Sequence, residues 1–151
     1  MKLYASIYIG SYEIILKVFQ ITQKKRLKEL DCLRTPIDTA QDIYASGQLK
    51  KETVDRICNV LEDMKRTLAL YRLTEDYQIY AGSTFTAADN RLFAMEQIKL
   101  RTGMKVLALS NSEHRFMSYR AVASQDNFDA MVSESAAIVD IGGVNLVSDS
   151  V

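Results

Sequence analysis

Apolar and polar positions along this chain change rhythm as it proceeds. Lys2 to Ile9 reads as a first strand ending at Gly10-Ser11. Glu13 to Thr22 then sets Ile14, Leu16, Val18 and Gln20 against Ile15, Lys17, Phe19 and Ile21. Apolar side chains on both sides at its start predict a strand inside a sheet rather than at its rim. Gln23-Lys24-Lys25 is a polar hairpin turn, and Arg26 to Leu33 returns as a third, more exposed strand. The basic run Lys24, Lys25, Arg26 and Lys28 around this hairpin has the charge to greet a polyanion, but reads first as a solvated edge protected by charge. From Thr35 to Gln48 no period holds, and Pro36 and Gly47 punctuate an irregular connection.

Spacings of three and four take over next. Val54, Ile57, Cys58, Leu61, Met64, Leu68 and Tyr71 form one stripe, which predicts a long helix from Lys51 to Arg72. Glu75 to Ala81 is a fourth strand, parallel to the first because a helix has crossed over between them. Gly82-Ser83-Thr84 leads into a short helical turn, and Asn90 caps a helix through Thr102 with Gly103 just past its end. Met104 to Leu109 is a fifth strand. Ser110-x-x-Glu113 is a capping-box pattern opening a helix from Glu113 to about Ser124. Gln125 to Glu134 is polar and loop-like. Ala136-Ala137-Ile138-Val139-Asp140-Ile141-Gly142-Gly143 then describes a strand feeding a tight turn, where glycine permits positive φ and close approach by a ligand.

This order predicts an α/β fold: an RNase H-like, actin-like ATPase lobe with a five-stranded mixed sheet, helices on both faces and strand order 3-2-1-4-5. The expected core holds Ile7, Ile9, Ile15, Val18, Leu61, Met64, Leu68, Ile79 and Leu107. Residues 1–132 make the lobe. Residues 133–151 make the first strand and phosphate turn of a second lobe that is otherwise absent. The strand from Ala136 to Ile141 would then add to an exposed sheet edge, in its own lobe or a neighbouring molecule, or remain mobile.

Composition narrows the function. The 151 residues suit one domain burying roughly 70% of the surface of the unfolded chain. Nineteen basic and nineteen acidic residues cancel, so nothing favours nucleic acid or an acidic membrane, and any phosphate site is local. Cys32 and Cys58 lack metal spacing and read as reduced, which with the absence of an export signal places the chain in the cytoplasm. Ser6, Ser11 and Glu13 interrupt the apolar N-terminus too soon for a signal peptide, and no run approaches the roughly 20 residues of a membrane span.

Four segments carry chemistry in the right order. They are Ser6-Ile7-Tyr8-Ile9-Gly10-Ser11-Tyr12-Glu13, Ser83-Thr84-Phe85-Thr86-Ala87-Ala88-Asp89-Asn90, Ser110-Asn111-Ser112-Glu113-His114-Arg115-Phe116 and Asp140-Ile141-Gly142-Gly143-Val144-Asn145-Leu146-Val147. Their order and spacing resemble the N-terminal lobe of the exopolyphosphatase and guanosine-pentaphosphate phosphohydrolase (Ppx/GppA) family, within the actin, heat-shock and sugar kinase superfamily. The family reads A-x-D-x-G-S-N-S, T-x-x-L-R-x-A-x-N, S-G-x-E-E-A-R and D-I-G-G-G-S-T-E at these places. The resemblance implies phosphate turns at Gly10-Ser11 and Gly142-Gly143, a cation (Mg2+ or Mn2+) at Asp140, and a water-orienting base at His114 or, after a one-residue slip, Glu113. It implies polyphosphate or a guanosine polyphosphate as partner; a homodimer is what addition of the Ala136–Ile141 strand to a neighbouring molecule would give.

The departures fall on the chemistry. Tyr8 stands where the family has its first metal-binding acid, and bulky Tyr12 replaces the asparagine of the phosphate turn. Thr86 replaces the phosphate-binding arginine and removes a forked donor. Val144, Asn145 and Leu146 replace the third glycine, serine and threonine of the second turn. Glu113 has a structural reading as the capping-box acid, and His114 as an exposed first-turn residue. Two functions follow. One is the N-terminal lobe of a phosphoanhydride hydrolase with degenerate motifs, weak or inactive as this chain stands. The other is a non-catalytic relative that binds a phosphate-containing ligand or a protein partner.

Overall fold

Register decides which side of each strand is buried. The computed structural model describes residues 2–23, 26–123, 137–141 and 146–150, the last two stretches as backbone alone. In β1 (Lys2–Ile9) and β2 (Glu13–Ile21), Ile7 lies opposite Leu16 and Ile9 opposite Ile14. Side chains alternate across a pleated strand, so Ala5, Ile7 and Ile9 share one face with Ile14, Leu16 and Val18, and all six are fully buried. Ile15, expected in the core, belongs to the opposite face with Tyr8 and is half-buried. The same one-residue offset moves the buried position of the fifth strand from Leu107 to Val106.

β3 (Leu27–Pro36) pairs antiparallel with β2, while β4 (Tyr77–Ala81) and β5 (Val106–Ala108) run parallel to β1. The order is β3-β2-β1-β4-β5, as the sequence predicts. The rim strand β3 shifts register opposite Val18 and Phe19, leaving Leu30 as an extra residue. A bulge and alternating charge blunt an edge of this kind.

α2 (Lys51–Leu70) lays Val54, Ile57, Cys58, Leu61, Met64 and Leu68 on the face of Ile7 and Ile9, joined there by Ala94 and Ile98 of α4 (Arg91–Thr102). α1 (Thr39–Ser46) is a helix where the sequence suggests an irregular connection. Asp38 caps it by accepting from Gln41 N–H at 2.9 Å, and Gly47 closes it at φ 72. α1 and α2 are locked together by Asp42. Its buried carboxylate accepts from Lys50 N–H at 2.8 Å and from the Thr53 hydroxyl at 2.5 Å, with the Lys50 ammonium 3.5 Å away.

Asn90 occupies the N-cap position of α4 without capping it. Its amide instead accepts from Leu49 N–H and donates to Leu49 C=O, both at 2.9 Å, fastening α4 to the α1–α2 junction. Gly103 ends α4 with φ 72, as expected.

Near the end of the chain, β6 (Ala137–Ile141) pairs antiparallel with β7 (Leu146–Ser150) in a separate two-stranded sheet. The strand read from Ala136 thus finds its partner in the next segment of its own chain, not at an edge of the five-stranded sheet. The expected domain boundary at 133 and the loop Gln125–Glu134 lie outside the described residues.

Candidate functional site

The site is built where three chain turns meet at the C-terminal ends of β1 and β4. Gly10 and Ser11 form the β1–β2 turn, closed by Gly10 N–H donating to Glu13 C=O at 2.9 Å. Gly10 does not need positive φ, since among the described residues only Gly47, Arg72 and Gly103 have it. Space is tight there instead: a Cβ would stand 3.0 Å from the Glu13 carbonyl oxygen and 3.3 Å from the Tyr8 ring. The turn's acceptors point into the lobe. Ser11 C=O accepts from Thr39 N–H at 2.9 Å and Ala40 N–H at 3.3 Å, while Gly10 C=O accepts from the Thr39 hydroxyl at 3.1 Å. The first amides of α1 are therefore already satisfied by the turn. The Ser11 hydroxyl bonds that of buried Thr84 at 2.5 Å.

Thr84 belongs to α3 (Ser83–Thr86), a single turn that follows Gly82. Gly82 N–H donates to Ile9 C=O at 3.0 Å, which holds this turn against the end of β1. Across the gap lies the side chain of Tyr8. A Cβ on Gly82 would stand 2.8 Å from Tyr8 Cζ and closer still to its hydroxyl oxygen. The phenol therefore lies on bare glycine backbone, one edge toward Gly10 and its tip over Gly82, and an alanine at 82 would displace it.

The tip continues to α5 (Asn111–Ala123). The Tyr8 hydroxyl lies 3.2 Å from His114 Nε2, with ring centroids 6.3 Å apart. α5 thereby meets the sheet on the face opposite α2 and α4, so helices stand on both faces. Tyr8 and His114 are 106 residues apart, and no local pattern announces their contact. Gly82 and Thr84 were also silent as site residues. The one available sign was a glycine ending the strand beside Gly10.

The other predicted residues have different placements. Glu113 Oε2 accepts from Ser110 N–H and from the Ser110 hydroxyl, each at 2.8 Å, and Glu113 N–H donates back to Ser110 Oγ at 3.2 Å. This is the reciprocal capping box the sequence suggested. The Ser110 amide, helped by its hydroxyl, holds the Glu113 carboxyl below the ordinary glutamate range. The box therefore forms fully above that range and is lost as pH falls through the lowered value. Thr86 bonds its own turn through Ser83 C=O at 3.0 Å. Glu13 turns away to Arg34 at 2.6 Å. Asp140 sits within β6, opposite Val147, with only its backbone described, and Gly142 and Gly143 lie outside the described residues. Burial pushes the Cys58 thiol up, which disfavours the reactive thiolate.

The described side chains do not fit a magnesium or manganese ion. Such an ion is held by one or two carboxylates together with water and phosphate oxygens. The donors gathered here are the hydroxyls of Tyr8, Ser11 and Thr84 and the His114 imidazole. Among the described residues no group of three or more His, Cys, Asp or Glu side chains could hold a metal.

No protein-family model matches the sequence, and no curated protein matches it. Solved structures do. An Aquifex aeolicus member of the Ppx/GppA protein family superposes over 99% of this chain and 50% of its own, at TM-score 0.74 and 20% identity. An exopolyphosphatase from Cytophaga hutchinsonii superposes over 99% of this chain and 50% of its own, at TM-score 0.82 and 14% identity.

The fold is theirs. An exopolyphosphatase-like protein agrees at TM-score 0.77 and 20% identity over 93% of this chain. The chain spans about half the length of these Ppx/GppA-fold structures. The sequence resemblance and the likeness of fold thus lead to the same structures. Among the described residues, no helix is long and apolar enough to cross a membrane.

Proposed function

We propose that this chain is the N-terminal lobe of an exopolyphosphatase- or guanosine-pentaphosphatase-like protein, with the phosphate cradle kept as a fold and closed to catalysis. One observation carries the reading: the Tyr8 phenol fills the space between Gly10 and Gly82 and bonds His114. Hydrolysis of a phosphoanhydride needs an anion seated on such a turn, donors or a cation to balance its charge, and a base aligned with the attacking water. Here an aromatic ring lies across the turn. The imidazole at the base position is engaged by that ring's hydroxyl, and Glu113 is engaged by Ser110. Losing a general base alone removes roughly two to four orders of magnitude of rate.

A phosphate-release assay with polyphosphate or guanosine pentaphosphate, in magnesium or manganese, is expected to show no turnover above buffer. Metal-dependent release abolished by Asp140→Asn would overturn this reading and make the chain a working hydrolase. The second reading is a non-catalytic relative that binds a phosphate-containing ligand or a protein partner away from the filled turn. It predicts saturable ligand binding in the absence of release.

A further inference from the structure

α4 is apolar on two sides. It turns Ala94, Ile98 and Thr102 into the lobe, where all three are buried. By the helical period, the side away from them carries Leu92, Phe93 and Leu100, which are 73%, 63% and 70% exposed. An apolar residue standing alone on a surface needs no explanation, but three on one face of one helix make a patch. Glu96 lies in the middle of that patch and Lys99 at its rim. Both are exposed, and neither joins an ion pair among the described residues.

The spacing along this face is self-complementary. Two copies that meet face to face do so about a two-fold axis, each presenting the same patch to the other. Let the axis cross α4 between Glu96 and Gln97, with the helices antiparallel. Phe93 then lies opposite the second copy's Leu100, and Leu100 opposite its Phe93. Leu92 completes a notch with Phe93 that receives the second copy's Leu100. The same axis brings Glu96 within reach of the second copy's Lys99, and does so twice.

Charge selects the occupant. A lipid surface would have to take Glu96 among the apolar side chains, and an anionic one would repel it. A partner of a single sign would set either Glu96 or Lys99 against its like. A second copy turned end for end satisfies both. We propose that α4 is a self-association surface, on which two copies of this chain pair antiparallel through Leu92, Phe93 and Leu100. A standard interface takes about 20–30 residues a side, and one helix face offers far fewer, so the pair is weak and concentration-dependent. At low micromolar concentration the copies are apart, which leaves the stability of the single chain to its own contacts. The inference does not depend on the reading of the cradle, since Tyr8 lies on the opposite face of the sheet from α4.

The test is sedimentation equilibrium of the whole chain from low micromolar to millimolar concentration. The wild type is expected to pass from monomer to dimer across that range. Leu100→Glu is expected to weaken the association at least tenfold, and so is Glu96→Lys, which sets lysine against lysine twice. The swap Glu96→Lys/Lys99→Glu restores both cross-pairs and is expected to return the wild-type affinity. All the substituted side chains are exposed, and a circular dichroism spectrum verifies that each variant folds. A wild type that stays monomeric at millimolar concentration overturns the surface, as does a dimer that Leu100→Glu leaves unchanged. A swap no tighter than Glu96→Lys alone overturns the antiparallel pairing.

Discussion

Phe85→Ala is expected to cost about 3–5 kcal/mol of folding free energy, and to lower the melting temperature by roughly 10 °C or more for a domain of this size. Phe85 is fully buried, and it sits on the single turn of α3 between Gly82 and Thr86. Its ring therefore anchors the segment that carries the Thr84 hydroxyl and the glycine beneath Tyr8. The comparison is Phe93→Ala on α4, where 63% of the residue is exposed and the change should stay within about 0.5 kcal/mol. Denaturant titration of both variants decides the matter. Equal midpoints would mean that α3 is not packed as described.

Asp42→Ala has the second-largest expected effect, a loss of about 3 kcal/mol. The substitution removes the charged acceptor shared by the Lys50 amide and the half-buried Thr53 hydroxyl, hydrogen bonds to a charged group being worth about 1.5–3 kcal/mol, and removes the partner of the Lys50 ammonium. Asp42→Asn retains an acceptor of similar shape and should lose only about 1 kcal/mol. Thermal unfolding distinguishes the two. If alanine and asparagine were equally mild, the α1–α2 junction would not depend on this carboxylate.

The fold was legible in the sequence wherever one period dominated. The stripe from Val54 to Leu68 has apolar residues on one side only, so α2 and its buried face follow from spacing. β2 begins Ile14-Ile15-Leu16, apolar on both sides, and alternation cannot choose between them. The choice is made by pairing with β1, which sets Ile14 and Leu16 opposite Ile9 and Ile7 and turns Ile15 to the other face. For α1 the signals were present in Asp38 and Gly47, but Pro36 and a weak apolar stripe hid them. Asn90 illustrates a tertiary claim overriding a local one: its amide satisfies Leu49, 41 residues away, instead of the helix it precedes.

The candidate site was legible as a list of altered positions and not as a structure. Tyr8 reads as a lost acid, and His114 as a candidate base or an exposed first-turn residue. Their meeting depends on β1 and α5 being brought together across the whole lobe, over bare backbone at Gly82. The two residues form one contact, the one on which the proposed closure of the cradle rests.

The measurement that bears most directly on this account is a titration of inorganic phosphate with magnesium, followed at the backbone amide resonances of Gly10, Ser11 and Gly82. With Tyr8 lying between the two turns, none of the three is expected to shift. A saturable shift at all three would show an anion seated where the phenol ring lies, and would contradict the closed cradle.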